Sequence, residues 1–417
     1  MTVVVMRSPS VAAWVQGRSG VFGMRVLVLG GAGGMGRVAV RQSAAYSFVE
    51  RVTVADLDGA RAADVAAHVG SKAAGIALNV NDREAMRAAI SGHDLVLNTV
   101  GPFYAFGVSV LEQVIEAGCN YADVCDDWEP TIEMLALDAR ARDAGVSALI
   151  GLGASPGITN MLAMKAIASL DEVDEVLTGW SIDGSSEDAQ VTQSSRPHSA
   201  GASAAVVHWV QQLTGSIRVL RDGGFQDVKP LEQREINYPG YGPLSVWSVG
   251  HPEAVTIPRV RPDMSACSNV MVGQADAFQG LQLLSALVDS GRLTIHQAAD
   301  EIARDFAKNA KPPREPRSES AAPGLFAWAS GRVGGRRAIS AAAIRSLPRG
   351  GMAGATSVPL SLAIPLFRIG FSKHGGVFAP EDVVDPDVFF DLLAPHCVGA
   401  FRTSAELIAL STEIAEA

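Results

Sequence analysis

The residues Gly31-Ala32-Gly33-Gly34-Met35-Gly36 follow a short apolar run and open a helical stretch, the G-x-G-x-x-G spacing of a dinucleotide-binding turn. In that chemistry Gly31 permits the tight turn, Gly33 lets the backbone approach a pyrophosphate, and Gly36 allows close helix–sheet packing. The helix start at Gly34 and Met35 then presents unpaired N–H groups and a partial positive charge to the phosphates. Asp56 stands 20 residues past Gly36, at the end of the next apolar run. A carboxylate there takes adenosine ribose hydroxyls and repels a 2′-phosphate, so NAD is expected, with NADP as the open alternative. Arg61 could reach such a phosphate, but it reads as a solvated helix residue. A ligand-free glycine turn, with Asp56 as a helix cap, is the competing reading. The co-occurrence of strand, turn, helix and acid argues against it.

A second group is suited to moving protons. Asp123, Asp126 and Asp127 crowd one segment, and neighbouring carboxylates raise one another's pKa until one can hold a proton near neutrality. Asp126 is the first candidate for a catalytic acid or base, with Tyr104 and Tyr121 as alternatives; Tyr121 reads as a core aromatic. Asp126 and Asp127 could instead cap the helix expected near Pro130. Ser155-Pro156-Gly157 opens a helix whose free N–H groups could hold a substrate carboxylate, although a hinge explains it equally well. Arg196 and His198 sit on a Pro-containing loop, where Arg196 could pair a carboxylate or simply lie at the surface. His251 and Glu253 could contact substrate or form a structural turn. Cys119, Cys125, Cys267 and Cys397 have no ligand spacing, so no metal is expected.

The elements that must position these groups alternate. Strands are expected at Arg25–Leu29, Val52–Ala55, Gly75–Leu78, Leu95–Thr99, Tyr121–Val124 and Ser147–Ile150. Between them lie helices to about Ser47, over Ala60–Val69, over Arg83–Ile90 capped by Asn81, over Val108–Ala117 and over Thr131–Ala144. This is an α/β fold, a Rossmann-type doubly wound parallel sheet with right-handed crossovers. The carboxyl ends of its strands face the ligand crevice, which gathers the loops Asn98–Tyr104, Asp123–Asp127 and Gly151–Asn160 around a nicotinamide. Gly101 suits a close backbone approach there, or a plain strand–helix turn.

Beyond a helix at Ile158–Leu170, the pattern stops alternating. Strands at Val173–Ser181, Gln233–Asn237, Leu244–Val249 and Ala254–Ile257, and hairpins at Asp222-Gly223-Gly224 and Gly334-Gly335, mix with helices at Ala200–Leu213, Ala277–Val288 and His296–Phe306. The expected division is a flexible extension over 1–23, the dinucleotide domain over 24–155, and an α+β substrate and dimerisation domain over 156–355. A C-terminal segment over 356–417, with a helix from about Val358, packs back on the first domain.

The chain has 417 residues, 48% hydrophobic and 19% charged, enough apolar material for a sizeable core. Net charge of −10 argues against a nucleic-acid binder. Four cysteines without a CxxC pair suit a reducing, cytoplasmic setting. No apolar run reaches the ~18 residues of a membrane span.

Three segments resemble the saccharopine dehydrogenase family, including its lysine 6-dehydrogenase-like and carboxynorspermidine-forming branches. They are Asn98–Tyr104 (NTVGPFY), Gly118–Asp126 (GCNYADVCD) and Gly151–Asn160 (GLGASPGITN). Gly250–Glu253 (GHPE) and Gly376–Glu381 (GVFAPE) look like its C-terminal half, so the resemblance runs from about Met24 to about Leu393. It implies hydride transfer between a nicotinamide cofactor and a C–N bond of an amino acid, amine or imine adduct. It also implies that Val100, Gly101 and Pro102 pass beside the cofactor's diphosphate and ribose, and that the chain is a homodimer; Asp123, beside Asp126, is a candidate substrate contact. An enoyl reductase, or a redox-responsive dinucleotide binder without turnover, are the alternatives.

Overall fold

The computed structural model describes residues 23–182, 202, 204–308, 323–371 and 375–416. Arg196 and His198, the extension over 1–22 and the Pro-rich stretch 310–322 lie outside the described residues. The first strands are β1 (Met24–Leu29), β2 (Val49–Asp56), β3 (Ala73–Ala77), β4 (Leu95–Asn98), β5 (Asn120–Asp123) and β6 (Ser147–Leu149). There follow β7 (Glu172–Ser181), β8 (Ile217–Arg221), β9 (Gly224–Val228), β10 (Gln233–Tyr238) and β11 (Gly242–Val249). The last are β12 (Ala266–Val272), β13 (Leu325–Val333), β14 (Arg336–Ile344), β15 (Gly376–Phe378) and β16 (Ile408–Ile414).

The first sheet runs β15-β6-β5-β4-β1-β2-β3, with every pairing parallel. Its central strands are buried on both faces: Val26 and Val28 enter one core, Leu27 and Leu29 the other. That is why β1 reads as a continuous apolar run rather than an alternation. Strand order reverses between β1 and β4, which opens a crevice at their carboxyl ends.

The second sheet runs β10-β11-β12-β7-β13-β14-β16, with the β8–β9 hairpin attached to β12. β7 and β12 are parallel and the remaining pairs antiparallel. The buried helix Ile158–Ile167 leads from the first sheet to the second, and one apolar cluster holds Val26, Ile158, Val176 and Ala327 together. The chain end stitches the two sheets again, because β15 joins the first and β16 the second.

Several local expectations are corrected. Residues 254–257 lie in the helix Glu253–Val260, not in a strand; burial of Val255, Thr256 and Ile257 overrides their β preference. β12 was not foreseen. The helix before β5 starts at Phe103, whose ring is buried in the core, rather than at Val108. Asp82, not Asn81, caps the helix Arg83–Ile90 by accepting from the Ala85 amide at 3.0 Å. The expected helix over 131–144 is split into Trp128–Leu135 and Asp138–Asp143, which lets Asp138 accept from the Val377 amide of β15.

Residues 351–369 form two abutting helices that together are long and apolar enough to cross a membrane. Most of this stretch is buried inside the protein, and Ser357 donates to the Met35 carbonyl at 2.9 Å.

Candidate active site

The glycine turn is built as a cradle. The Gly31 amide donates to Ala55 and the Gly33 amide to Gly30, each at 3.0 Å, closing the turn between β1 and the helix Gly34–Ala45. A Cβ on Gly36 would stand 2.1 Å from the Gly30 carbonyl oxygen, so this position accepts only glycine. No side chain caps the helix, and the first-turn amides of Gly34, Met35 and Gly36 have no intrahelical acceptor. Asp56 sits against the turn: its Oδ2 accepts from the Ala32 amide at 3.0 Å and its Oδ1 from the Asp58 amide at 3.2 Å. The carboxylate thus braces the turn. Across the crevice Thr99 donates to the Leu29 carbonyl at 2.8 Å, locking the Val100-Gly101-Pro102 loop beside the glycines. The space around Gly101 is open to 4 Å, as a closely approaching ligand needs. Uncapped amides, a glycine-rich turn and a carboxylate one strand away fit an adenine dinucleotide.

The carboxyl end of β5 holds the acids. Asp123 is fully buried, and its Oδ1 accepts from the Gly151 amide at 2.7 Å and the Cys125 amide at 3.0 Å. It therefore braces two loops. Burial lifts it to about 6, against the pull of those amides. Asp126 keeps a third of its side chain exposed. Burial raises it above the ordinary carboxylate range, partly opposed by the nearby His208 and His251.

Asp127 begins the helix Trp128–Leu135 without capping it through its side chain. Instead His208, from the helix Ala204–Gln212, donates Nε2–H to Asp127 Oδ1 at 2.6 Å and turns Nδ1 toward Asp126 Oδ2 at 3.4 Å. Burial pulls the imidazolium down, but Asp126 and Asp127 together outweigh it and lift His208 to about 9. These three residues offer ligand atoms within 4.8 Å of one another. Each imidazole nitrogen nevertheless faces a different carboxylate, the geometry of an ion triad rather than of a cage around one metal. Four residues along the same helix, Gln212 donates to the Asp126 carbonyl at 3.0 Å. The sequence reading missed His208 and Gln212, and only their i, i+4 spacing could have hinted at them. Tyr104 lies on the first turn of the helix Phe103–Glu116 and is 55% exposed.

The Ser155-Pro156-Gly157 segment is sealed. The amides of Gly157, Ile158 and Thr159 already donate to Asn160 Oδ1, Gly153 and Ala154, so the expected carboxylate-holding N–H groups are spent. Ser155 and Thr159 each donate to Glu253 Oε1 at 2.6 Å. Burial would raise Glu253, but hydrogen bonds from His251, Ser155 and Thr159 outweigh it and hold the carboxyl low. Ser155 Oγ and Glu253 Oε2 both face Nδ1 of His251, at 3.3 and 3.6 Å, while Nε2 faces Gln212 Oε1. A hydrolytic triad needs the acid and the hydroxyl on opposite nitrogens, so this cluster is a structural joint. Asn160 extends it by donating to Glu381 Oε2 at 2.8 Å, and burial pushes Glu381 up to about 7.

Residues 26–149 match the family model described as the saccharopine dehydrogenase NADP binding domain. Among relatives, the chain is 25% identical over 276 residues to a carboxyaminopropylagmatine dehydrogenase of Synechocystis sp., covering 63% of this chain and 66% of that protein. It is 33% identical over 92 residues to an L-glutamate-forming, NADP(+) saccharopine dehydrogenase of Pyricularia oryzae, covering 22% of this chain and 19% of that one. The alignments thus span just under two thirds of the first relative and about a fifth of the second. The fold as a whole is similar to apo saccharopine dehydrogenase (L-Glu forming) of Saccharomyces cerevisiae. That likeness has a TM-score of 0.62 at 17% identity and covers 94% of this chain and 100% of that one.

Proposed function

We propose that this chain is an NAD(P)-dependent oxidoreductase acting on a carbon–nitrogen bond of an amino-acid-derived amine or imine. The observation that carries the reading is Asp126, a partly exposed carboxyl raised by burial, at the end of the second strand from the glycine turn. The dehydrogenase names of the relatives point the same way. A bound nicotinamide supplies the hydride acceptor or donor. The chain's own part is threefold. The first-turn amides after Gly33 hold the pyrophosphate, the Val100–Pro102 loop flanks it, and Asp126 takes or gives the proton at the substrate nitrogen.

Absorbance of the reduced cofactor with a panel of amino acids, aldehydes and preformed imines tests this. Asp126→Ala is expected to cut turnover by about 10²–10⁴ with dinucleotide affinity unchanged; unchanged turnover removes Asp126 from the role. Cofactor binding without oxidation across the panel favours a binder without turnover. The helix Gly351–Ser361 is buried core and offers no apolar groove for an enoyl substrate.

Asp56 supports NAD(H) over NADP(H), whereas the family model's description points to NADP(H). Dissociation constants for the two cofactors decide, with NADH expected to bind at least tenfold more tightly. Four free, buried cysteines support a cytoplasmic location. The exposed edge strand β16, with Leu410 and Ile414 outward, supports a homodimer.

A further inference from the structure

We propose that His208 is a positioning residue for Asp126, so that the proton-handling group is assembled only where the second domain's helix Ala204–Gln212 docks on the loop after β5. This rests on the reading of Asp126 given above. The helix reaches that loop with two side chains one turn apart. Gln212 fixes the loop's main chain at the Asp126 carbonyl, while His208 fixes the carboxylates. Asp127 sits at a helix N-cap position, where an aspartate ordinarily accepts from its own helix, yet its Oδ1 is committed to His208. A histidine held only by packing has no need of a carboxylate at each nitrogen.

Among the described residues, Glu129 on the helix Trp128–Leu135 and the Cys125 thiol act with Asp127. His251, at the start of the helix Glu253–Val260, acts on Asp126, and Asp123 lies behind it on β5. Gln212 is neutral and joins His251 Nε2 to the Asp126 backbone. Without the imidazolium, the partly exposed Asp126 and the buried Asp127, whose Oδ2 has no hydrogen-bond partner among the described residues, would face each other as like charges. The cheaper outcome is a proton retained on Asp126 or rotation of its carboxylate away from the substrate side. His208, lifted to about 9 by Asp126 and Asp127, carries its charge at neutral pH.

Full-length protein carrying [13Cγ]aspartate, titrated by NMR, tests this without any substrate, the Asp126 signal being identified by its loss in Asp126→Asn. In His208→Gln the Asp126 midpoint is expected to rise by about one pH unit, a tenfold change in its proton affinity, and to return in His208→Arg, which restores the cation. An unmoved midpoint in His208→Gln overturns the proposal. Should that variant not fold, the imidazole nitrogens of the wild-type protein carry the test. Both must be protonated at pH 8 and lose that state in Asp127→Asn, and a neutral His208 ring at pH 8 overturns it. Where a substrate from the panel is turned over, the pH profile of kcat is expected to move with the carboxyl titration. If Asp126→Ala leaves turnover intact, the proton-handling role of Asp126 fails by itself, while the titration still reports whether His208 governs the carboxylate.

Discussion

Gly36 and Asp56 show how much can depend on single side chains, or on having none. A methyl group at Gly36 would press on the Gly30 carbonyl at 2.1 Å and on the Gly31 Cα at 2.7 Å, both backbone atoms of the glycine turn. Gly36→Ala is therefore expected to weaken dinucleotide binding at least tenfold and to cost roughly 1–3 kcal/mol of stability by forcing that turn open. Calorimetric titration and a urea melt check both. These two residues were legible in the sequence because their chemistry is local: the spacing that makes the turn also makes the site. Asp123 was legible as an acid but not as a brace, since its partners, the amides of Cys125 and Gly151, include one 28 residues away.

At the scale of elements, the informative piece is the helix Ala204–Gln212. Its existence was readable from its apolar pattern; its partner was not, because docking places His208 against acids 81 residues earlier in the chain. The pairing has a pH signature. His208 is lifted to about 9, above the ordinary 6.5 of the unfolded chain, so its stabilisation is fully present below 6.5 and is lost as pH rises through 9. His208→Gln is expected to lower stability by on the order of 1–3 kcal/mol at pH 6 and by almost nothing above about pH 10. Denaturant midpoints of the two proteins across that range check it; parallel curves would contradict it. The helix Glu253–Val260 teaches the converse. Its β-branched run looks like a strand, and only its enclosure between the two sheets, with the Ala254 amide donating to Asn269 of β12, selects the helix.

On the scale of the whole molecule, the joint at Ser155, Asn160, His251, Glu253 and Glu381 gathers three distant parts of the chain into one buried polar cluster. Glu381 sits there near 7 rather than its ordinary 4.5, so the folded state holds its proton more tightly than the unfolded chain does. Its contribution is most favourable below about pH 4.5 and is lost as pH rises through 7. Glu381→Gln is expected to remove that loss, making the protein more stable than wild type by on the order of 1–3 kcal/mol at pH 8 and little different at pH 4.5. Thermal melts at the two pH values are the measurement.

The sequence by itself determined the parallel sheet, the glycine turn and the acid that faces it. Each depends on residues within one strand–turn–helix unit, where apolar period and glycine placement act over a few bonds. Tertiary structure alone decided which acids stay near solvent, which become braces, and that an imidazole from the second domain stands between two of them. Those outcomes depend on burial and on contacts between segments some 80 to 220 residues apart, which no local pattern encodes.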